Sequence, residues 1–309
     1  MAGPKELLKS AVRSAAGATG LYLAPRGGRS PIPDVADLRR RTDWRSRRNM
    51  VGMAGAALDE QLAFIDALLQ PEIAATLRAR DVWAEVARAN GEHDGMRAAD
   101  VEMLYAVVRA RRPARIVQIG TCVLAGPIVL AAADAGYAPE HTVIDADPKP
   151  YVLAQAGRGG PTIVRHRPQT TLLDMFTRLR EGDLLFIHSD RAMKAGGELN
   201  RLVLEVLPLL APGVLVHIHN INFPYDYGRA ILEDDVSFSK ETSLLHAFLI
   251  GNTRYRIRAS LSMLHYGARE ALKARLPHYA PASDSYGLAV EGGPGEWPSS
   301  LWLQRTGEG

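Results

Sequence analysis

The chain has 309 residues, 47% of them apolar, and a formal charge of +3. That is enough apolar material for a large core in one or two domains, and too little positive charge for a uniform nucleic-acid footprint. One cysteine, Cys122, excludes an internal disulfide and fits a reducing compartment, and no run approaches the roughly 20 apolar residues of a membrane helix, so a soluble, cytoplasmic protein is expected.

Residues 1–24 carry Lys5, Lys9 and Arg13 ahead of a weakly apolar segment. Arg13, Ser14 and the glycines interrupt any signal-peptide core, leaving a frayed helix or a basic amphipathic one that touches a membrane surface or a partner. Two glycines and two prolines make 26–33 a linker. The basic run 38–48 fits a solvated helix face or a grip on an anionic substrate or phosphate. Leu58, Leu62, Phe64, Ile65, Leu68 and Leu69 recur at helical spacing, so 56–69 is predicted as a helix closed by Pro71, with a second helix over 72–89. Turn residues follow at 90–95. Residues 1–95 are therefore expected to form a helical N-terminal region that packs on the next domain as a lid or an oligomer interface.

A helix over 97–111, with Val101, Leu104, Tyr105, Val107 and Val108 inward, leads into a β-turn-α-β unit. Its first strand, 114–119, lies between Pro113 and Gly120; a small-residue helix follows over 124–135, and the second strand, 141–144, ends in Asp145. In such units the turn lets a ligand approach the backbone and the acid accepts hydrogen bonds from ribose hydroxyls. The turn, Gly120-Thr-Cys-Val-Leu-Ala-Gly126, is not G-x-G-x-x-G, which favours a mononucleoside over a dinucleotide; an ordinary surface turn is the alternative. Helices at 150–156, 171–180, 197–210 and 242–250 then alternate with strands at 162–164, 184–188, 214–218 and 255–259. A helical and then loop-like stretch, 260–281, and a last strand at 300–304 complete the pattern. The expected fold over 96–309 is α/β, Rossmann-like and doubly wound, with a mostly parallel seven-stranded sheet.

Two strand ends carry polar residues that a buried strand does not need. One finishes in His188 and Asp190, the other in His217, His219 and Asn220. Open α/β sheets bind ligands at the carboxyl ends of their strands, so these residues should share a crevice with Gly120 and Asp145. Side chains alternate along a strand, which puts His217 and His219 on one face. Three uses of the imidazoles stay open. His217 is a core histidine bonded to backbone with His188 in the pocket wall, or His219 is a general base, or His188, Asp190 and His219 hold a divalent metal. The loop 223–229 mixes aromatics with Asp226 and Arg229 and suits either an acceptor wall or a packed surface.

At these residues the sequence resembles a known group. VQIGTC…TVIDADP, the run from GDLLFIHSDRAMKAGGELN through GVLVHIHNINFPYDYGR, and LLHAFLIGN are similar to the bacterial class I S-adenosylmethionine-dependent methyltransferases of the family 24 type. Their usual forms are EIGSG, FIDSSH…K-x-GG-x-x-N and HIHDI-x-x-P-x-x-YP. The similarity covers about 100–250 and includes the final SSLWLQR. It implies methyl transfer to sugars or other small metabolites in polysaccharide or natural-product pathways. Carried over by position, Gly120 lies under the methionine part of S-adenosylmethionine and Asp145 holds its ribose. Gln169 lies near adenine, Lys194, Gly196, Gly197 and Asn200 match K-GG-N, and His219 stands at the catalytic edge; Asp190 and His188, which depart from the family's residues, are expected to help it from their place at the neighbouring strand end. The departures are Gln118 for the Glu that reads the cofactor's amino group, Thr121-Cys122 for Ser-Gly, His188 for Asp, Asp190-Arg191 for Ser-His, and Asn220 for Asp. Lys240-Glu-Thr242 stands where NEQ is common. The expected activity is a small-molecule O- or N-methyltransferase, homo-oligomeric through its N-terminal helices and without a metal site. The alternative is a repurposed fold that no longer methylates, with other, possibly metal-dependent, chemistry or a non-catalytic partner role.

Overall fold

The structure, a computed structural model, describes residues 9, 11–12, 14–16, 18–19, 33–41, 43–90, 97–120, 125–156, 160–188, 193–226, 241–280 and 298–307. Most of the expected linker at 26–33 and of the turn at 90–95 lies outside them. The chain divides into two compact units, 1–44 and 45–309.

In the first unit, helix α1 (Val35–Arg40) starts at Asp34, whose carboxylate accepts from the backbone N–H groups of Ala36 and Asp37. Arg41 pairs with Asp37 and Asp43, so local acids neutralise this part of the basic run.

The second unit opens with α2 (Leu58–Leu68), α3 (Pro71–Ala79) and α4 (Val82–Asn90). The helix expected over 72–89 is thus two helices. Arg80 leaves helical geometry, and the Asp81 carboxylate caps α4 by accepting from Ala84 N at 2.9 Å. Helix α5 (Ala98–Arg111) is buried without interruption from Ala98 to Val108, because other elements surround it.

The alternating part gives β1 (Arg115–Ile119), α6 (Ala125–Asp134), β2 (Glu140–Ile144), α7 (Pro150–Ala156) and β3 (Thr162–Val164). A 3-10 turn (Pro168–Thr170) and a short α8 (Asp174–Thr177) stand where one helix over 171–180 is expected. Then come β4 (Leu184–Ile187), α9 (Glu198–Arg201), which runs on through a π turn (Leu202–Val206) to Leu207–Leu209, and β5 (Leu215–Ile218). The chain continues with α10 (Glu241–Leu249), β6 (Tyr255–Ser260), α11 (Leu261–Gly267), α12 (Arg269–Lys273) and β7 (Leu301–Arg305).

The seven strands form one sheet in the order β3-β2-β1-β4-β5-β7-β6, parallel except for β7, which runs against both β5 and β6. This is the Rossmann-like doubly wound architecture. The central strands alternate between two apolar layers. Ile116, Leu184, Phe186 and Trp302 face α2 to α6, whereas Val117, Ile187, Val216 and Ile218 face the layer that contains the π turn and α10. Strand order reverses between β1 and β4, the switch point where open sheets of this kind hold ligands.

Candidate functional site

The register of the parallel strands builds the site. Ile119 sits opposite Ile144 and Ile187, and Ile187 opposite Ile218. One residue further on, Gly120 N donates to Ile144 O, His188 N to Ile119 O and His219 N to Ile187 O, each at 3.0 Å. Asp145, Gly120, His188 and His219 therefore follow one another along a single edge of the sheet. At about 4.8 Å per strand, the row from Asp145 to His219 is roughly 14 Å long, a nucleoside-sized span. Gly120 has φ +82, and a Cβ there would lie 2.2 Å from His188 O, so only glycine fits where β1 meets β4. Asp145 is half-buried, and its carboxylate accepts from Asp147 N at 2.8 Å, a local turn that orients it.

The imidazoles form a layered group. His217 is fully buried, stacked on Phe186 at 4.3 Å and tilted against Trp302 at 4.6 Å. Its Nε2 bonds Ser300 Oγ at 2.9 Å, a side-chain partner rather than the expected backbone one. Burial, followed by the neighbouring His188, holds its pKa well below the ordinary imidazole value. His219 lies on the same face, 6.0 Å from the His217 ring, and 5.1 Å from His188. His219 is buried and His188 half-buried. Asp190, the third member of the expected catalytic group, lies outside the described residues, as do Thr121, Cys122 and Arg191. Among the described residues, no three His, Cys, Asp or Glu side chains gather as a metal site.

The other expected cofactor residues divide. Gln118 is fully buried, and its Nε2 donates to Gly120 O at 2.9 Å while its Oε1 pairs with His141 Nε2 at 3.1 Å. Burial pushes His141 down to about 3, so it is the neutral ring that donates to Gln118. The Gln118 amide thus braces the glycine turn from beneath. Gln169, on the 3-10 turn, and Asn200, on α9, belong to elements that pack together. Asn200 Nδ2 donates to Lys194 O at 3.0 Å. The side-chain oxygens of Gln169 and Asn200 are both buried and have no partner among the described residues.

Beyond β5 the chain turns at Asn220, with φ +65, and passes a cis Phe223–Pro224 bond. Phe223 and Tyr225 are buried, and Tyr225 packs edge-on against Tyr266 at 4.8 Å. Arg47 Nε donates to Tyr225 OH at 2.8 Å, and Arg48 pairs with Asp226 at 2.6 Å. Up to residue 226 this is the packed alternative for the loop, with Arg47 and Arg48 bound to it; Arg229 and Lys240 lie outside the described residues.

Sequence reasoning missed Asp100. It sits fully buried in the first turn of α5, and its carboxylate accepts from Ser299 N at 3.0 Å and Ser300 N at 2.9 Å. Burial pushes its pKa up to about 6 against the opposing effect of these bonds. The signal was present as two acids, Asp100 and Glu102, inside a helix whose other residues from Ala98 to Val108 are apolar.

No protein-family model matches the chain, and no curated protein does. Among solved structures it is similar to an O-methyltransferase from Bacillus cereus in complex with SAH, at 13% identity and a TM-score of 0.42, covering 74% of this chain and 91% of that one. The plantazolicin methyltransferase BamL, in complex with a triazolic desmethylPZN analog and SAH, is 13% identical with a TM-score of 0.41, covering 80% and 98%. SAH-bound methyltransferase PaMTH1 of Podospora anserina is 15% identical with a TM-score of 0.35, covering 75% and 93%.

Proposed function

We propose that the chain binds S-adenosylmethionine along this edge and transfers its methyl group to a hydroxyl or amine of a small molecule, in a sugar or natural-product pathway. The observation that carries the proposal is the row itself. A carboxylate, a glycine and two imidazoles occupy four consecutive strand ends at the switch point of the sheet.

The residues present fit that cofactor. Asp145 suits a pair of ribose hydroxyls, because a carboxylate offers acceptors only. Gly120 lets a ligand reach the backbone, and Gln118 fixes the turn from below. The buried oxygens of Gln169 and Asn200 need donors, and an adenine amino group is one. Bound there, S-adenosylmethionine supplies an electrophilic methyl group. His219 would take the acceptor's proton as the acceptor atom bonds to the methyl carbon and the methyl–sulfur bond breaks, with S-adenosylhomocysteine leaving. His188 and Asp190 orient that end. Burial of His219 fixes its ring, which favours in-line positioning of the acceptor.

A thermal-shift screen with S-adenosylmethionine, S-adenosylhomocysteine and divalent metals tests the proposal, because a ligand that binds only the folded form raises its melting temperature. Both nucleosides should raise it in the wild type. Asp145→Ala should weaken binding by about ten- to a hundredfold. A shift with metal alone would favour the metal-dependent alternative, and no shift with either nucleoside at saturating concentration would defeat the methyltransferase proposal.

A further inference from the structure

A chain of buried hydrogen bonds runs beneath the histidine edge, and none of its members touches the row directly except through His217. It begins at Asp100 on α5. Both oxygens of this carboxylate accept from the backbone of the segment entering β7, Ser299 N at 3.0 and 3.3 Å and Ser300 N at 2.9 Å. These backbone bonds hold Ser300 in place, with its hydroxyl against His217. His217 Nδ1 is buried and has no partner among the described residues, so the hydrogen of the neutral ring belongs on Nε2, where it has an acceptor. The lone pairs of Ser300 Oγ are then what His217 Nε2 meets at 2.9 Å, and the imidazole must be the donor.

Two consequences follow for His217. Its neutral form is the Nε2–H tautomer. Its Nδ1 is buried and has no partner among the described residues, so a second proton there would be a buried donor without an acceptor, a costly arrangement. The ring is clamped between Phe186, stacked at 4.3 Å, and Trp302 at 4.6 Å. Among the described residues, the charged and titratable groups around it are Asp100 from α5, with Arg97 near that carboxylate, His188 from the end of β4, and His219 at the end of its own strand; Ser300, just before β7, and Trp302 on β7 complete the surroundings.

We propose that Asp100 and Ser300 are positioning residues for the histidine edge. Through one hydrogen-bonded chain they lock His217 as a neutral, fixed imidazole in the Nε2–H tautomer, and so give His219 a rigid, uncharged neighbour. A charged His217 would lie 6.0 Å from His219, ring to ring, and would oppose proton uptake there. The catalytic consequence rests on His219 acting as the base proposed above; the tautomer itself does not.

Long-range proton–nitrogen correlation spectra of the full chain labelled with 15N-histidine read the tautomer directly, with His217→Gln used for assignment. The expected result is an Nε2–H pattern for His217 that does not change between about pH 5 and about pH 8, the range in which free imidazoles titrate. Ser300→Ala should mix the tautomers and lower kcat about tenfold while KM for S-adenosylmethionine stays unchanged, and Ser300→Thr should restore both. An Nδ1–H pattern, a titrating His217 in the wild type, or an unaltered pattern in Ser300→Ala would overturn the proposal. If the expected pattern is found in a chain that binds no S-adenosylmethionine, the methyltransferase function fails and the lock on His217 stands.

Discussion

Gly120 is where a single side-chain atom decides the site. Its φ of +82 disfavours any other residue, and the His188 carbonyl occupies the space of a Cβ. Gly136 offers a control, since it has φ +62 and nothing within 4 Å of its Cβ position. Gly136→Ala should cost only the left-handed strain, about 1–2 kcal/mol. Gly120→Ala must also push β1 and β4 apart, so its melting temperature should fall by clearly more than that of Gly136→Ala, and calorimetric melting of the two variants checks it. Equal losses would mean that the carbonyl contact does not hold the turn. Gly120, Asp145, His188 and His219 were legible in the sequence because each breaks an apolar strand at its end. The inward use of Gln118 was not, because it depends on His141, which reaches it from the neighbouring strand. Asp100 escaped for a similar reason, its partners Ser299 and Ser300 lying some 200 residues away in the chain.

At the scale of elements, β2 carries a pH dependence through His141. Folding holds this imidazole near a pKa of about 3 by desolvation, whereas in the unfolded chain it titrates near 6.5. The unfolded form therefore binds the proton more readily between those values. The contribution of His141 to stability is complete above pH 6.5 and is lost as pH falls toward 3. His265, lowered to about 4 by burial, acts in the same direction. Asp100 and Glu102, raised to about 6 and about 7 by burial, act in the opposite one, since they favour the fold as pH falls through those values. The difference between variants isolates one group. His141→Gln should be less stable than the wild type at pH 7, and the gap should close by about 1.4 kcal/mol per pH unit below 6.5. Denaturant titrations at a series of pH values measure this, and a constant gap would show that His141 is not held neutral. Most helices were legible from apolar spacing, although two boundaries were not. The break between α3 and α4 has neither glycine nor proline and is set by Asp81 capping α4, and the span expected as a helix over 171–180 keeps only four helical residues in α8.

At the scale of the molecule, alternating strands and helices predicted the doubly wound sheet, and the structure has it with a single antiparallel strand, β7. The chain divides between Trp44 and Arg45, and α2 to α4 share an apolar layer with α5 and the sheet. We retain as a proposal that the N-terminal helices form a lid or an oligomer face; light scattering should then give a mass above 33.6 kDa for the chain in solution, and a monomer would leave the lid. The central claim is that four strand ends form one nucleoside site. Isothermal titration of the full chain with S-adenosylhomocysteine tests it most directly. One site per chain with micromolar affinity, weakened in Asp145→Ala, is the expected result, and the absence of binding heat at several temperatures would contradict it.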